Sequence, residues 1–346
     1  MVSAVAVSAL LASSSTAAPP TGSYLVTDLG TLGGTTSSAY GINNNGAIVG
    51  TAAVAGDAAS HAFLYDSQGM HDLGTLPGGT NSAAYAINRY GQVTGQAERL
   101  VADWRFCEFE PTCPSLPSAR AFRYSEGLMV ALGGNPLSTH YYYFPYLSGG
   151  YGINDRGDVA GYYLSSSLDI FASYWVGNTL VPLGPNGAAT GINDAGEVVG
   201  GHAYAGGVWL AKGGVTVDLP DAGGGPTPTA QWGAINNSGD VAYNGRLTFG
   251  GPWVALLYSG GTVKELGTFN PYAISQNDLV VGSGGFGAEH AILYRAGKTF
   301  DLNDLIDPSS GWLLETARGV NKWGQIVGTG TIGGHQHGFL LTPTRH

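Results

Sequence analysis

The sequence predicts an all-β protein, a closed seven-bladed β-propeller with four short strands per blade. Three observations predict it. First, one stretch, GINNNGAIVG (41–50), keeps returning: as AINRYGQVTG (86–95), GINDRGDVAG (152–161), GINDAGEVVG (191–200), AINNSGDVAY (234–243), AISQNDLVVG (273–282) and GVNKWGQIVG (319–328). Second, two further strand-like runs follow each copy, so that most units repeat at the 40–45-residue period of a propeller blade. Third, the last unit lacks a fourth strand, whereas an unpaired strand, YLVTDLG (24–30), stands before the first hairpin. Moving that strand to the end completes the seventh blade and removes two exposed sheet edges.

Each element has a local reason. The recurring stretch reads as strand, Asn-x-x-Gly, strand, and Asn and Gly both tolerate the conformations of a tight turn. The residue before the Ile or Val is always small (Gly41, Ala86, Gly152, Gly191, Ala234, Ala273, Gly319), which suits a crowded axis where strands converge. The third strands are HAFLY (61–65), RAFRY (120–124), FASYW (171–175), GGVWL (206–210), VALLY (254–258), HAILY (290–294) and HGFLL (337–341). The fourth strands centre on Asp-Leu-Gly or a relative, at Leu73, Leu132, Leu183, Leu219, Leu266 and Leu302. From Ile42 to Val320 the steps between copies are 45, 66, 39, 43, 39 and 46 residues, so one unit carries a long insertion. It divides into a second-to-third-strand loop at 96–119 and a blade connection at 133–150, both expected on the same face of the ring.

Composition bounds the function. Only 11% of the 346 residues are charged, 57 are Gly, and the formal charge is −10. A phosphate backbone is repelled on average, which excludes nucleic acid as the expected partner. The N-terminal residues 1–18 (MVSAVAVSALLASSSTAA) have the anatomy of a secretory signal peptide, though without Lys or Arg before the apolar run, and 19–23 form a linker to a single domain over 24–343. Past the leader no segment has the ~20 apolar residues of a membrane span. An extracellular or periplasmic location and a monomeric state are expected.

The residues quoted above also carry a family resemblance. DLGTLGG (28–34), GINNNGAIVG (41–50) and HAFLYDSQGMHDLGTLPGG (61–79), with DLNDLIDPSSGWLLETARGVNKWGQIVG (301–328) and HGFLLTP (337–343), resemble the HAF extracellular repeat family. The resemblance covers nearly all of the chain after residue 23 and implies a bacterial, extracellular repeat protein. It brings no established activity and no catalytic residues. The middle blades depart from the pattern, with Ser275 in place of the turn Asn.

Several side chains invite a chemical reading. Cys107 and Cys113 form a close pair in a chain read as exported, which favours a disulfide. It would close a seven-residue loop and contribute roughly 2.4 kcal/mol. Tyr141, Tyr142, Tyr143, Phe144 and Tyr146 crowd the 133–150 insertion, where exposed aromatics stack on sugars or anchor a partner; packing under the neighbouring loop is the alternative. His61, His290 and His337 recur at one third-strand position. Equivalent positions on different blades stand too far apart to share a zinc ion, so a repeated structural hydrogen bond is expected instead. The turn asparagines Asn43, Asn88, Asn154, Asn193, Asn236 and Asn321 are expected to bond the backbone of their own turns. DLNDLID (301–307) offers oxygen ligands for calcium, but its alternating Leu and Ile fit a strand and turn, and it lacks a complete ligand set, so no cofactor is expected.

An enzyme of this architecture would gather acids where the innermost strands meet. The first-strand segments (38–43, 84–88, 150–154, 189–193, 232–236, 272–275 and 317–321) contain no Asp or Glu, but they do hold Tyr40, Tyr85, Tyr151, Tyr272 and Arg318. The sequence therefore points to a secreted, non-catalytic binding propeller for a carbohydrate or protein, with its site on the face of the 96–119 and 133–150 insertions. An extracellular polysaccharide hydrolase or lyase with an axial Tyr/Arg site, and a passive surface component, are the alternatives.

Overall fold

A computed structural model describes residues 23–102, 115–133, 147–165, 169–185, 187–202, 207–220, 232–246, 252–284 and 289–344. Among these residues, seven four-stranded antiparallel sheets stand as the blades of a propeller. Strand β1 (Tyr24–Asp28) precedes the first complete blade, β2 (Gly33–Ile42), β3 (Ile48–Val54), β4 (Ser60–Asp66) and β5 (Gly69–Asp72). Blade 2 is β6 (Ser82–Ile87), β7 (Val93–Ala102), β8 (Ser115–Ser125) and β9 (Leu128–Ala131). Blade 3 is β10 (Ser148–Ile153), β11 (Val159–Leu164), β12 (Ile170–Val176) and β13 (Thr179–Pro185). Blade 4 is β14 (Gly187–Ile192), β15 (Val198–His202), β16 (Val208–Lys212) and β17 (Val215–Asp218). Blade 5 is β18 (Gly233–Ile235), β19 (Val241–Gly245), β20 (Val254–Ser259) and β21 (Thr262–Gly267). Blade 6 is β22 (Asn270–Ile274), β23 (Val280–Gly284), β24 (His290–Arg295) and β25 (Lys298–Asp301).

Blade 7 closes the ring as the strand arithmetic requires. It comprises β26 (Trp312–Val320), β27 (Ile326–Ile332) and β28 (His335–Pro343), and its fourth strand is β1, paired from Tyr24↔Pro343 to Asp28↔Phe339. The first strands of successive blades pack on one another all the way round, from β2 on β6 to β26 back on β2, so they are the innermost.

The core lies between blades rather than within one. Each apolar cluster draws on two neighbours: Val49, Ala62 and Leu73 of blade 1 meet Ala84, Val93 and Phe122 of blade 2. Leu29, Ile48 and Phe63 likewise meet Val327 of blade 7. Third-strand rings such as Phe63, Phe122, Trp175 and Phe339 are fully buried at these seams. Burial of each contributes on the order of 2–3 kcal/mol.

Polar bonds close the same seams on the turn face. The Oδ1 of Asn43 accepts from the backbone of its own turn, at Asn45 N and Ala47 N (both 3.0 Å), as expected. Its Nδ2 reaches further and donates to the carbonyl of Asn88 in the next blade at 3.0 Å. The pattern repeats from Asn88 to Asn154, Asn154 to Asn193, Asn193 to Asn236, Asn236 to Ser275, and Asn321 back to Asn43. Six of the seven links of an annulus are thus in place among the described residues. The gap falls where Ser275 replaces Asn: its Oγ still accepts from Asn277 N and Leu279 N, but it has no amide to donate onward. The turn glycines, such as Gly46 at φ 83°, sit in left-handed backbone that an L residue resists, and Asp278 fills that place at φ 57° in the sixth blade.

The 96–119 insertion differs from the expected loop. β7 and β8 run on as a two-stranded ladder as far as Ala102↔Ser115, so only 103–114 stand between them. Beyond the fourth strand, whose last pair is Phe122↔Ala131, this ribbon no longer belongs to the four-stranded sheet. It therefore carries charged and exposed residues such as Glu98 and Leu100 without the alternation of a half-buried strand. Residues 103–114 and 134–146 lie outside the described residues, and with them Cys107, Cys113, Tyr141, Tyr142, Tyr143, Phe144 and Tyr146; so does the leader at 1–18.

Candidate functional site: an axial aromatic ring

One backbone device builds the centre of the molecule. In six blades the pairing of the first and second strands slips by one residue: at Tyr40, Tyr85, Tyr151, Thr190, Tyr272 and Arg318. Each slip is a β-bulge, which leaves one residue out of the ladder and re-aims its side chain. The glycine of Val-x-Gly in the second strand makes the bulge fit. A Cβ on Gly50 would stand 2.0 Å from the Ser38 carbonyl, one on Gly161 1.9 Å from that of Gly149, and one on Gly328 1.9 Å from that of Thr316. No side chain survives such a contact. Blade 5 tests the rule: Tyr243 replaces that glycine, and the register there runs without a slip.

The small residue after each bulge serves the expected crowding. A Cβ on Gly41 would meet the Tyr85 carbonyl at 3.1 Å, and one on Gly152 would meet the Gly191 Cα at 3.0 Å.

The bulged side chains gather at the axis. The rings of Tyr40 and Tyr85 lie 5.5 Å apart edge to face, and Tyr85 and Tyr151 are also 5.5 Å apart. Tyr151 then meets Trp232 at 4.9 Å. These two belong to blades 3 and 5, so the contact bridges across blade 4. There Thr190 donates its hydroxyl to the Gly233 carbonyl at 2.6 Å and holds the next first strand in place. On the other side, the Arg318 guanidinium sits 4.0 Å from the centroid of the Tyr272 ring. Arg318 is followed by Gly319, which abuts Tyr40 and Gly41 of blade 1. Tyr40, Tyr85, Tyr151 and Trp232 therefore form a continuous aromatic path, and the Tyr272–Arg318 pair stands on the first strands of the two blades next to it.

The ring extends toward the insertion face. Tyr162 of β11 stacks on Tyr151 at 5.7 Å. Its hydroxyl accepts from Gln96 Nε2 at 3.1 Å, and the same amide donates to the Ser148 carbonyl. Gln96 opens the first insertion and Ser148 ends the second, so both rise from beside the aromatic ring. Opposite lies the asparagine annulus, three residues on from each bulge.

The environment keeps the Tyr85 and Tyr151 phenols protonated. Burial pushes the Tyr85 hydroxyl up to about 12, with Tyr40 and Tyr162 beside it acting the same way. Burial, then Tyr162 and Tyr85, pushes Tyr151 higher still. Both are held as neutral hydrogen-bonding rings, with ionised forms disfavoured. Trp232 stays 39% exposed, so the ring is not sealed.

Other candidates have structural occupations. His61, His290 and His337 each bond through Nδ1 to the fourth-strand Asp of Asp-Leu-Gly or Asp-Leu-Asn: Asp72 at 2.9 Å, Asp301 at 2.5 Å and Asp28 at 2.9 Å. This is the repeated bond the sequence predicts, and its partner also ties β1 into blade 7. In the 301–307 run, Asp301 and Asp307 accept from Asn303 N and Ser309 N and cap two short 3-10 turns. No three potential metal ligands cluster among the described residues. An open cleft of about 320 Å³ between blades 6 and 7 is lined by Glu289, Glu315, Thr316 and Gln336. Its Glu315 carboxylate already accepts from Thr331 and Gln336.

Tyr40, Tyr85, Tyr151, Tyr272 and Arg318 are the axial positions legible in the sequence, and the structure brings all of them to the axis. Trp232 and Tyr162 were not legible as members. Trp232 stands one place earlier than the bulged tyrosines, and Tyr162 lies on a second strand, one residue past Gly161.

No protein-family profile matches the chain, and no curated protein matches it. Solved structures do. TolB from Acinetobacter baumannii matches with 10% identity and a TM-score of 0.39, over 90% of this chain and 64% of that one. An acylaminoacyl peptidase from Pyrococcus horikoshii matches with 11% identity and a TM-score of 0.45, over 74% and 42%. A puromycin-hydrolyzing peptidase from Mycobacterium tuberculosis matches with 13% identity and a TM-score of 0.49, over 86% and 50%. The chain thus spans between 42% and 64% of the length of these proteins. The seven four-stranded sheets make this chain a seven-bladed β-propeller, and its distant structural neighbours are propeller proteins too.

Proposed function

We propose that this protein is an exported, non-catalytic binding propeller of the HAF-repeat kind, and that its axial aromatic ring receives a sugar ring entering from the insertion face. The observation that carries the reading is the unbroken aromatic path from Tyr40 through Tyr85 and Tyr151 to Trp232, continued by Tyr162 to the base of both insertions. Such faces stack on the C–H surfaces of a pyranose while the phenolic hydroxyls bond its oxygens.

Binding is favoured over bond cleavage by two features. The axial stretches of the first strands (38–43, 84–88, 150–154, 189–193, 232–236, 272–275 and 317–321) contain no carboxylate for a glycosidase pair. A tyrosine acting as a base also needs a hydroxyl lowered toward the working pH, and Tyr85 and Tyr151 are shifted the opposite way.

The test is glycan-array binding, followed by calorimetric titration of the best ligand with wild type and a Tyr85→Ala/Trp232→Ala double variant. Loss of two stacking faces is expected to weaken binding about 100-fold. Undiminished affinity in a folded double variant would refute the axial site.

A further inference from the structure

We infer that the ligand of the axial ring is an acidic saccharide, its carboxylate held by Arg318; this rests on the binding reading above and specifies its chemistry. Arg318 is a half-buried cation on an innermost strand, in a ring otherwise built of neutral side chains. Its one contact of note is the Tyr272 face, and it has no ion-pair partner among the described residues. Carboxylates beside other cations are already paired: half-buried Asp155 with Arg89, and buried Asp158 with Arg156 and Glu197 with Lys212. The carboxylate on Arg318's own strand, Glu315, sits at a separate bulge between Leu314 and Thr316, and its oxygens are taken by Thr331 and Gln336.

Two details make this guanidinium fit for a ligand. The Tyr272 face 4.0 Å away holds the guanidinium while leaving its N–H groups unspent, and their fork matches a carboxylate with two parallel bonds. Its place on the first strand of blade 7, between the first strands that carry Tyr272 and Tyr40, puts the charge one strand away from the aromatic path. A sugar ring that carries a carboxyl group satisfies both at once, whereas a neutral sugar leaves the guanidinium unused. The net charge of −10 does not oppose this, because exposed charges farther than about 8 Å are screened at physiological salt.

The experiment compares oligogalacturonate with the same oligomer after reduction of its carboxyl groups, against wild type, Arg318→Gln and Arg318→Lys. Near-UV circular dichroism confirms that each variant is folded, and quenching of tryptophan fluorescence reports binding. Wild type is expected to bind the acidic oligomer about 10–100-fold more tightly than the reduced one, and Arg318→Gln to abolish that preference. Arg318→Lys keeps the charge without the planar edge and should recover part of it. Affinity for the acidic oligomer should also fall as salt rises in wild type and not in Arg318→Gln. Equal binding of acidic and reduced oligomers by wild type overturns the inference while leaving the aromatic site standing. A preference for acid that persists in Arg318→Gln overturns it too, and failure of every glycan to bind overturns the reading on which it rests.

Discussion

The asparagine annulus makes a sharp prediction because the chain contains its own control. In Asn88, Oδ1 accepts from Tyr90 N and Gln92 N, both at 3.0 Å, while Nδ2 donates to Asn154 O at 2.9 Å and to Gln92 Oε1 at 2.8 Å. Asn88→Ala removes all four bonds at a buried position and strands two backbone donors. With about 1 kcal/mol for each lost bond, and somewhat more for a stranded donor, the expected cost is about 4 kcal/mol. Asn88→Ser copies what Ser275 does in the sixth blade: a hydroxyl keeps the bonds to the turn backbone and gives up the link to the next blade. Asn154 O still accepts from Gly157 N, and Gln92 is reachable by water, so Asn88→Ser should cost only about 1 kcal/mol. The reverse change, Ser275→Asn, supplies the missing donor to the Asn321 carbonyl and should stabilise by about 1 kcal/mol. Guanidinium denaturation of the three variants at a common slope measures all of this. Equal costs for Asn88→Ser and Asn88→Ala, or a destabilised Ser275→Asn, would refute the division between own-turn and inter-blade bonds.

Two further predictions concern charge. Tyr85 is raised from about 10 to about 12 on folding, so the folded state holds its proton longer, and stability is lost as pH rises through that window. The loss reaches about 2 kcal/mol by pH 12, and Tyr85→Phe should remove it; the tyrosinate absorbance near 295 nm follows the titration directly. In blade 3, burial and the neighbouring Asp194 hold the Asp155 carboxyl above the usual range, so its contribution to stability is lost as pH rises through its folded value. Asn already stands at this turn position in Asn44 and Asn237, so Asp155→Asn should be tolerated within about 0.5 kcal/mol. Its melting temperature relative to wild type should improve from pH 4 to pH 7, and a decline over that range would contradict the like-charge account.

Repeat arithmetic was enough to read the ring, its seven blades and the role of YLVTDLG, because each blade is a local hairpin pattern whose turns declare themselves through Asn and Gly. The axial tyrosines were legible as positions for the same reason. Their assembly was not, since it depends on a bulge, and a bulge shows in sequence only indirectly through the glycine opposite. Gly50 and its counterparts read as turn or strand-end glycines until the carbonyl occupying the Cβ site is seen. The Asn43-to-Asn88 link joins residues 45 apart and exists only once the first two blades have stacked. The ribbon over 96–102 and 115–119 was hidden for another reason: a two-stranded extension outside the core needs no apolar face, so nothing in its side chains announces a strand.

The pairing of Tyr24 with Pro343 has a consequence for how the molecule is made. During synthesis the blades can stack one by one, each hairpin formed from residues near in the chain. The first strand, however, must wait for a partner on the far side of six intervening blades, and until then the structure is an open arc with an exposed edge at each end. Closing a loop of this size adds only slowly to the entropic cost but places the step last.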